Sequence, residues 1–145
     1  MTLDKQLSAY KAARMVVGLD SSAFHIFAFV ADKNKKAAVI LRRTHWAYRY
    51  IVDQMTHFME SRPTVIDVLA ANWMPEQRKL ANHQSWGELD HPALAKALSK
   101  AGFIDGEKDW RAPSDEEIKA SLKWAEERAG APLVRRKATT KAEDM

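Results

Sequence analysis

His45, Arg49, Asp53 and His57 follow one another at intervals of four residues. On a helix this spacing lines them up in one polar stripe, where Arg49 can pair with Asp53 and Asp53 with His57. Two imidazoles and a carboxylate are the groups that metal binding or proton transfer needs. His45 and His57, however, stand about 18 Å apart along a helix axis, too far to share an ion. A metal at Asp53 and His57 needs further ligands, and His25, His83 and His91 show no ligand spacing. The stripe is therefore expected to be a solvated helix face, with no metal and no cofactor. An enzyme using His45, Asp53 or His57 as acid or base ranks third among the functional readings. The chain has no G-x-S-x-G and no H-E-x-x-H. Its five glycines do not cluster as a phosphate-cradling loop requires, and the absence of cysteine removes thiol chemistry.

The stretch "KNKKAAVILRRTHWAYRY" carries Lys33, Lys35, Lys36, Arg42, Arg43 and Arg49 and no acidic residue. The whole chain is only +4, so the remainder is net negative and the basic character is local. A local basic patch is the footprint of an anionic partner. Arg42, Arg43 and His45 flank Thr44, which is positioned to cap a helix. Cations are mildly unfavourable at a helix start, and a bound phosphate would reverse that penalty. Tyr48 lies off the apolar stripe and is placed to stack on a base. Arg135, Arg136 and Lys137 extend the basic theme near the C-terminus. These residues make non-enzymatic, sequence-tolerant nucleic-acid binding the first reading.

Trp86, Trp110 and Trp124 are harder to place in a core than Trp46 or Trp73. Tryptophan is enriched at interface hot spots. They support the second reading, a protein-interaction module such as an adaptor, an inhibitor or an assembly subunit, whose basic patch meets an acidic protein surface.

The elements that must position these residues follow from period and punctuation. "LDKQLSAYKAARMVV" is expected to be a helix, with Gly18 after it. Ala23–Val30 and Ala37–Arg42 are rich in aromatic and β-branched residues, and with "ADKNK" between them they are expected to form a hairpin, Asn34 taking a positive φ. The next helix starts at Thr44 and stops before Pro63. "TVIDVLAANW" and "PEQRKLANHQSW" are expected to be helical. "PEQRKLANHQSW" and the following "DHPALAKALSKAGF", joined by "GELD", have a loose helix-turn-helix spacing, in which Lys96 and Lys100 are the only cations of the second helix. That helix has Asp90 as N-cap and Gly102 as terminator, with Phe103 folding back onto Leu98. "SDEEIKASLKWAEERAG" opens with a capping box of Ser114 and Glu117.

The expected architecture is α+β: a mostly helical single domain, residues 1–130, of five to six helices packed around one N-terminal antiparallel β-hairpin. A flexible basic tail, 131–145, follows. No signal peptide and no run of about 20 apolar residues is present, so a cytoplasmic protein outside the membrane is expected.

Overall fold

The computed structural model describes residues 2–106 and 110–138. The chain groups into two compact units, one built from Met1–Ile40 with Ala47–Ile66 and the other from Leu41–Trp46 with Asp67–Met145.

The first unit contains α1 (Leu3–Ala12), β1 (Met15–Leu19), α2 (Ala23–Ala28), β2 (Lys36–Ile40), α3 (Tyr48–Met59) and β3 (Thr64–Ile66). Its strands form a parallel sheet in the order β1-β2-β3, with α2 and α3 as the crossovers. The two helices pack against each other and so share one face of the sheet. Phe24, Phe27, Val39, Val52, Met55 and Met59 are buried. Phe27 meets Tyr10 and Phe24 edge-on, at ring centroid distances of 5.7 and 6.3 Å.

This arrangement overturns the expected N-terminal hairpin, although the α+β class holds, with five helices and two small sheets among the described residues. Ala23–Ala28 is helical because Phe24, Phe27 and Ala28, spaced i, i+3, i+4, bury together. One strand partner of β2 is Met15–Leu19, a segment that sequence period assigns to the end of the first helix. There α1 stops at Ala12, and β-branched Val16 and Val17 continue in extended form. Asn34 sits in an Asx turn, its N–H donating to Asp32 Oδ1 at 2.8 Å, and does not adopt positive φ. The helix expected from Thr44 begins at Tyr48, with Ala47 as a cap that makes no side-chain bond.

The second unit holds β4 (Leu69–Pro75), β5 (Trp86–Leu89), α4 (His91–Lys100), α5 (Asp115–Ala129) and β6 (Leu133–Lys137). Its sheet is antiparallel, in the order β5-β4-β6. The two helices expected over 64–86 are instead β3, β4 and a turn-rich connection, which removes any helix-turn-helix. Residues 133–137, expected in the flexible tail, pair with β4 along their whole length. Residues 139–145 lie outside the described residues. The later helices follow their punctuation closely. Asp90 caps α4 through Ala93 N–H at 2.9 Å. Gly102 takes φ 72°, and Phe103 N–H returns to the Leu98 carbonyl at 2.9 Å, completing a Schellman turn. Both bonds of the Ser114–Glu117 capping box form.

Gly87 sits where its main chain comes close to that of Arg42. A Cβ there would overlap the Arg42 carbonyl oxygen and lie 2.5 Å from Leu69 Cδ2. On the same face of the sheet, Asn72 is buried and exchanges two hydrogen bonds with Thr44, each 2.9 Å, which spends the hydroxyl expected to cap a helix.

Lys35 has a structural task in the first unit. It is only 9 % exposed. Its Nζ donates to the carbonyls of Tyr10, Lys11 and Ala13 at 3.3, 2.8 and 2.7 Å. These are orphan acceptors at the end of α1, where a cation also complements the helix dipole. No residue of α1 is itself buried, so this ammonium is a main fixture of the helix. Replacing it by an apolar side chain of similar length, Lys35→Met, is expected to cost about 1.5–3 kcal/mol in urea denaturation, with faster amide exchange in α1. Unchanged stability would show that the carbonyls are satisfied without it.

A tryptophan-lined cleft as candidate functional site

Register on the antiparallel sheet assembles the site. Trp73 on β4 stands opposite Trp86 on β5 and Arg135 on β6. Glu88, two residues along from Trp86, projects from the same face of β5. The Glu88 carboxylate accepts from Trp73 Nε1 at 2.8 Å and from Arg135 Nε and Nη2 at 2.9 and 2.7 Å. One acidic side chain thus ties all three strands together across their surface. The Arg135 hydrogen bonds, assisted by the one from Trp73, hold the Glu88 carboxyl below its usual range against the opposing effect of burial.

Helix α5 supplies the facing wall. Trp124 meets Trp86 edge-on, with centroids 5.0 Å apart at 68°. The Arg128 guanidinium, one turn further on, lies over the Trp124 ring at 4.9 Å from its centroid. At the start of α5, Arg111 forms a bidentate pair with Glu117, both bonds 2.7 Å, which fastens the segment carrying Trp110 to the helix. Trp73, Trp86, Trp110 and Trp124 converge on one cleft of about 1150 Å³, completed by apolar groups such as Leu89, Pro113, Ile118 and Leu122. Trp110 and Trp124 keep 41 % and 52 % of their surface exposed. The Trp86 indole nitrogen is buried with no acceptor among the described residues. Sequence reasoning singled out Trp86, Trp110 and Trp124 but missed that Trp73 and Glu88 join them. Trp73 follows from strand pairing in a segment expected to be helical, and Glu88 from a short strand just after it.

The basic residues are more dispersed in role. Lys35 is consumed at the end of α1, and Tyr48 is buried at 4 % exposure, so neither presents itself to a phosphate or a base. Arg135 is paired with Glu88, and Arg136 donates to the Glu76 carbonyl at 3.0 Å. Lys33, Lys36, Arg49 and Lys137 are exposed. Arg42 and Arg43 are half-buried, and neither ends a strand: β2 stops at Ile40 and α3 starts at Tyr48. His45 stacks on Trp46, with centroids 5.5 Å apart at 21°. Burial, then the nearby Arg43 charge, lowers its pKa, which favours a neutral imidazole. Asp53 and His57 are exposed on α3, and no cluster of three metal-ligating side chains exists among the described residues. Among these residues, too, no helix is long and apolar enough to cross a membrane.

In comparisons with known proteins, the chain matches no family model, no curated protein and no solved structure at a significant level.

The Arg111 hydrogen bonds, followed by the Ser114 backbone, bring Glu117 down from 4.5 to about 2. A carboxyl depressed on folding stabilises the protein above its unfolded pKa, and the contribution fades as pH falls through the folded one. Acid titration of urea stability should therefore show a component lost between pH 4.5 and about 2. Glu117→Gln should flatten the curve in that window. An unaltered pH profile in the variant would remove Glu117 from the account.

Proposed function

We propose that the protein is a non-enzymatic interaction module whose tryptophan cleft receives an extended, proline-bearing apolar segment of a partner protein. The observation that carries this reading is the convergence of Trp73, Trp86, Trp110 and Trp124 on one cleft. Aromatic-lined grooves take proline-rich chains because such chains are already extended and lose little entropy on docking. Indole rings offer flat apolar faces and an N–H donor, while an extended peptide offers rings and free carbonyl acceptors. The buried Trp86 donor has no acceptor among the described residues, and an orphan donor costs roughly 1–3 kcal/mol.

Size and charge support a peptide over other ligands. At about 1150 Å³ the cleft exceeds the roughly 300–1,000 Å³ of typical small-molecule sites. Its carboxylates already hold cations, Glu88 with Arg135 and Glu117 with Arg111. The wall carries no surplus of positive charge of the kind that phosphate recognition needs. The basic stretch supports nucleic-acid binding less than its charge suggests, because Lys35 and Tyr48 are buried and Arg135 is paired.

Titration with an oligoproline peptide, followed by tryptophan fluorescence, tests the reading. Saturable binding with weak salt dependence is expected. Trp110→Ala and Trp124→Ala should each weaken it by roughly tenfold or more, with unchanged circular dichroism. A generic single-stranded oligonucleotide is the contrasting probe. Binding to the oligonucleotide that collapses with salt and ignores both tryptophan substitutions, or no saturable peptide binding, would overturn the proposal.

A further inference from the structure

β1 is one of the two edge strands of the first unit's sheet. β1 ends the strand order, so one side of its backbone has no neighbouring strand in the sheet. Lys36 N–H donates to the Arg14 carbonyl and Asp20 N–H to the Ile40 carbonyl, each at 2.9 Å. In a parallel ladder only alternate residues bond to one side. Arg14, Val16, Gly18 and Asp20 therefore turn their backbone groups to β2, and Met15, Val17 and Leu19 turn theirs to the open edge. The same three residues carry exposed apolar side chains, at 49 %, 42 % and 47 %. Gly18, on the opposite face, abuts the Phe24 ring.

Edge strands are normally blunted by a charge, a proline or a bulge. β1 has none of these: its sequence is MVVGL and its pairing with β2 is regular. Parallel sheets are also normally covered on both faces.

We infer that β1 is the contact through which two copies of this chain associate, pairing antiparallel about Val17 to join two three-stranded sheets into one. The strand is self-complementary in that register. Val17 meets Val17 of the second copy, and Met15 meets Leu19. Every outward N–H and C=O of these residues then gains a partner, because outward residues fall opposite outward residues. The apolar side chains of both copies form one continuous strip on a single face. Two copies that meet through the same edge about a two-fold axis at Val17 necessarily run antiparallel, and parallel pairing of the two edges would not allow that axis. Such an isologous contact closes on itself and leaves no further open β1 edge.

Light scattering of the full chain across a dilution series tests this. Wild type should be a dimer that dissociates on roughly hundredfold dilution. Val17→Lys, at an exposed position, should be monomeric with unchanged circular dichroism. Trp110→Ala should leave the dimer intact, which separates this contact from the cleft. Amide exchange on wild type needs no variant: the Met15, Val17 and Leu19 amides should slow as concentration rises. A wild-type monomer throughout, a persistent Val17→Lys dimer, or exchange at those amides indifferent to concentration would overturn the inference.

Discussion

The cleft of the second unit depends on the three bonds that Glu88 accepts. β5 is only four residues long, and a strand of that length contributes few ladder bonds of its own. The carboxylate reaches across β4 to β6, so the surface bearing Trp73 and Trp86 is fixed by side chains as well as by backbone pairing. Exposed ion pairs generally contribute little. This one is bidentate and backed by an indole donor, and the Glu88 side chain is only 16 % exposed, conditions in which geometry is enforced rather than sampled. Trp73 is thereby held in one orientation, and its hydrogen-bonding edge is occupied while its ring remains part of the cleft wall.

The two units solve different problems of polar satisfaction. In the first, a chain turn delivers Lys35 to the frayed end of α1, where three carbonyls would otherwise lack donors. In the second, Arg111 and the capping box do the reverse job at the start of α5, pairing a carboxylate with an orphan N–H and a guanidinium together. Both consume charged residues whose sequence context suggests recognition. Charge is visible in a sequence, whereas the acceptor that neutralises it is a product of the fold.

This explains what was legible beforehand and what was not. The caps of α4 and α5 act over three or four residues, so Asp90, Gly102, Ser114 and Glu117 could be assigned from spacing. The parallel sheet depends on partners far apart in the chain. Val16 and Val17 are equally at home at the end of a helical stripe or in a strand, and only pairing with Ala37 and Ala38 decides between them. The six-residue α2 is too short for its period to outweigh its aromatic composition. Three of the cleft's tryptophans stood out because they fitted no helical stripe. Trp73 did not, because it closes a segment whose period reads as helical, whereas the fold places it in β4.

Gly87 adds a constraint of another kind. The hydrogen at its Cα occupies space that any other side chain would contest with the Arg42 main chain and the Leu69 side chain. A larger residue at 87 can be accommodated only if the 41–46 segment moves outward, and that segment is tied to Asn72 through Thr44. Positions 42, 44, 69, 72 and 87 are therefore coupled through packing and hydrogen bonds. Sequences that diverge from this one should keep the glycine or change the group together, even though none of these positions but Gly87 lines the cleft.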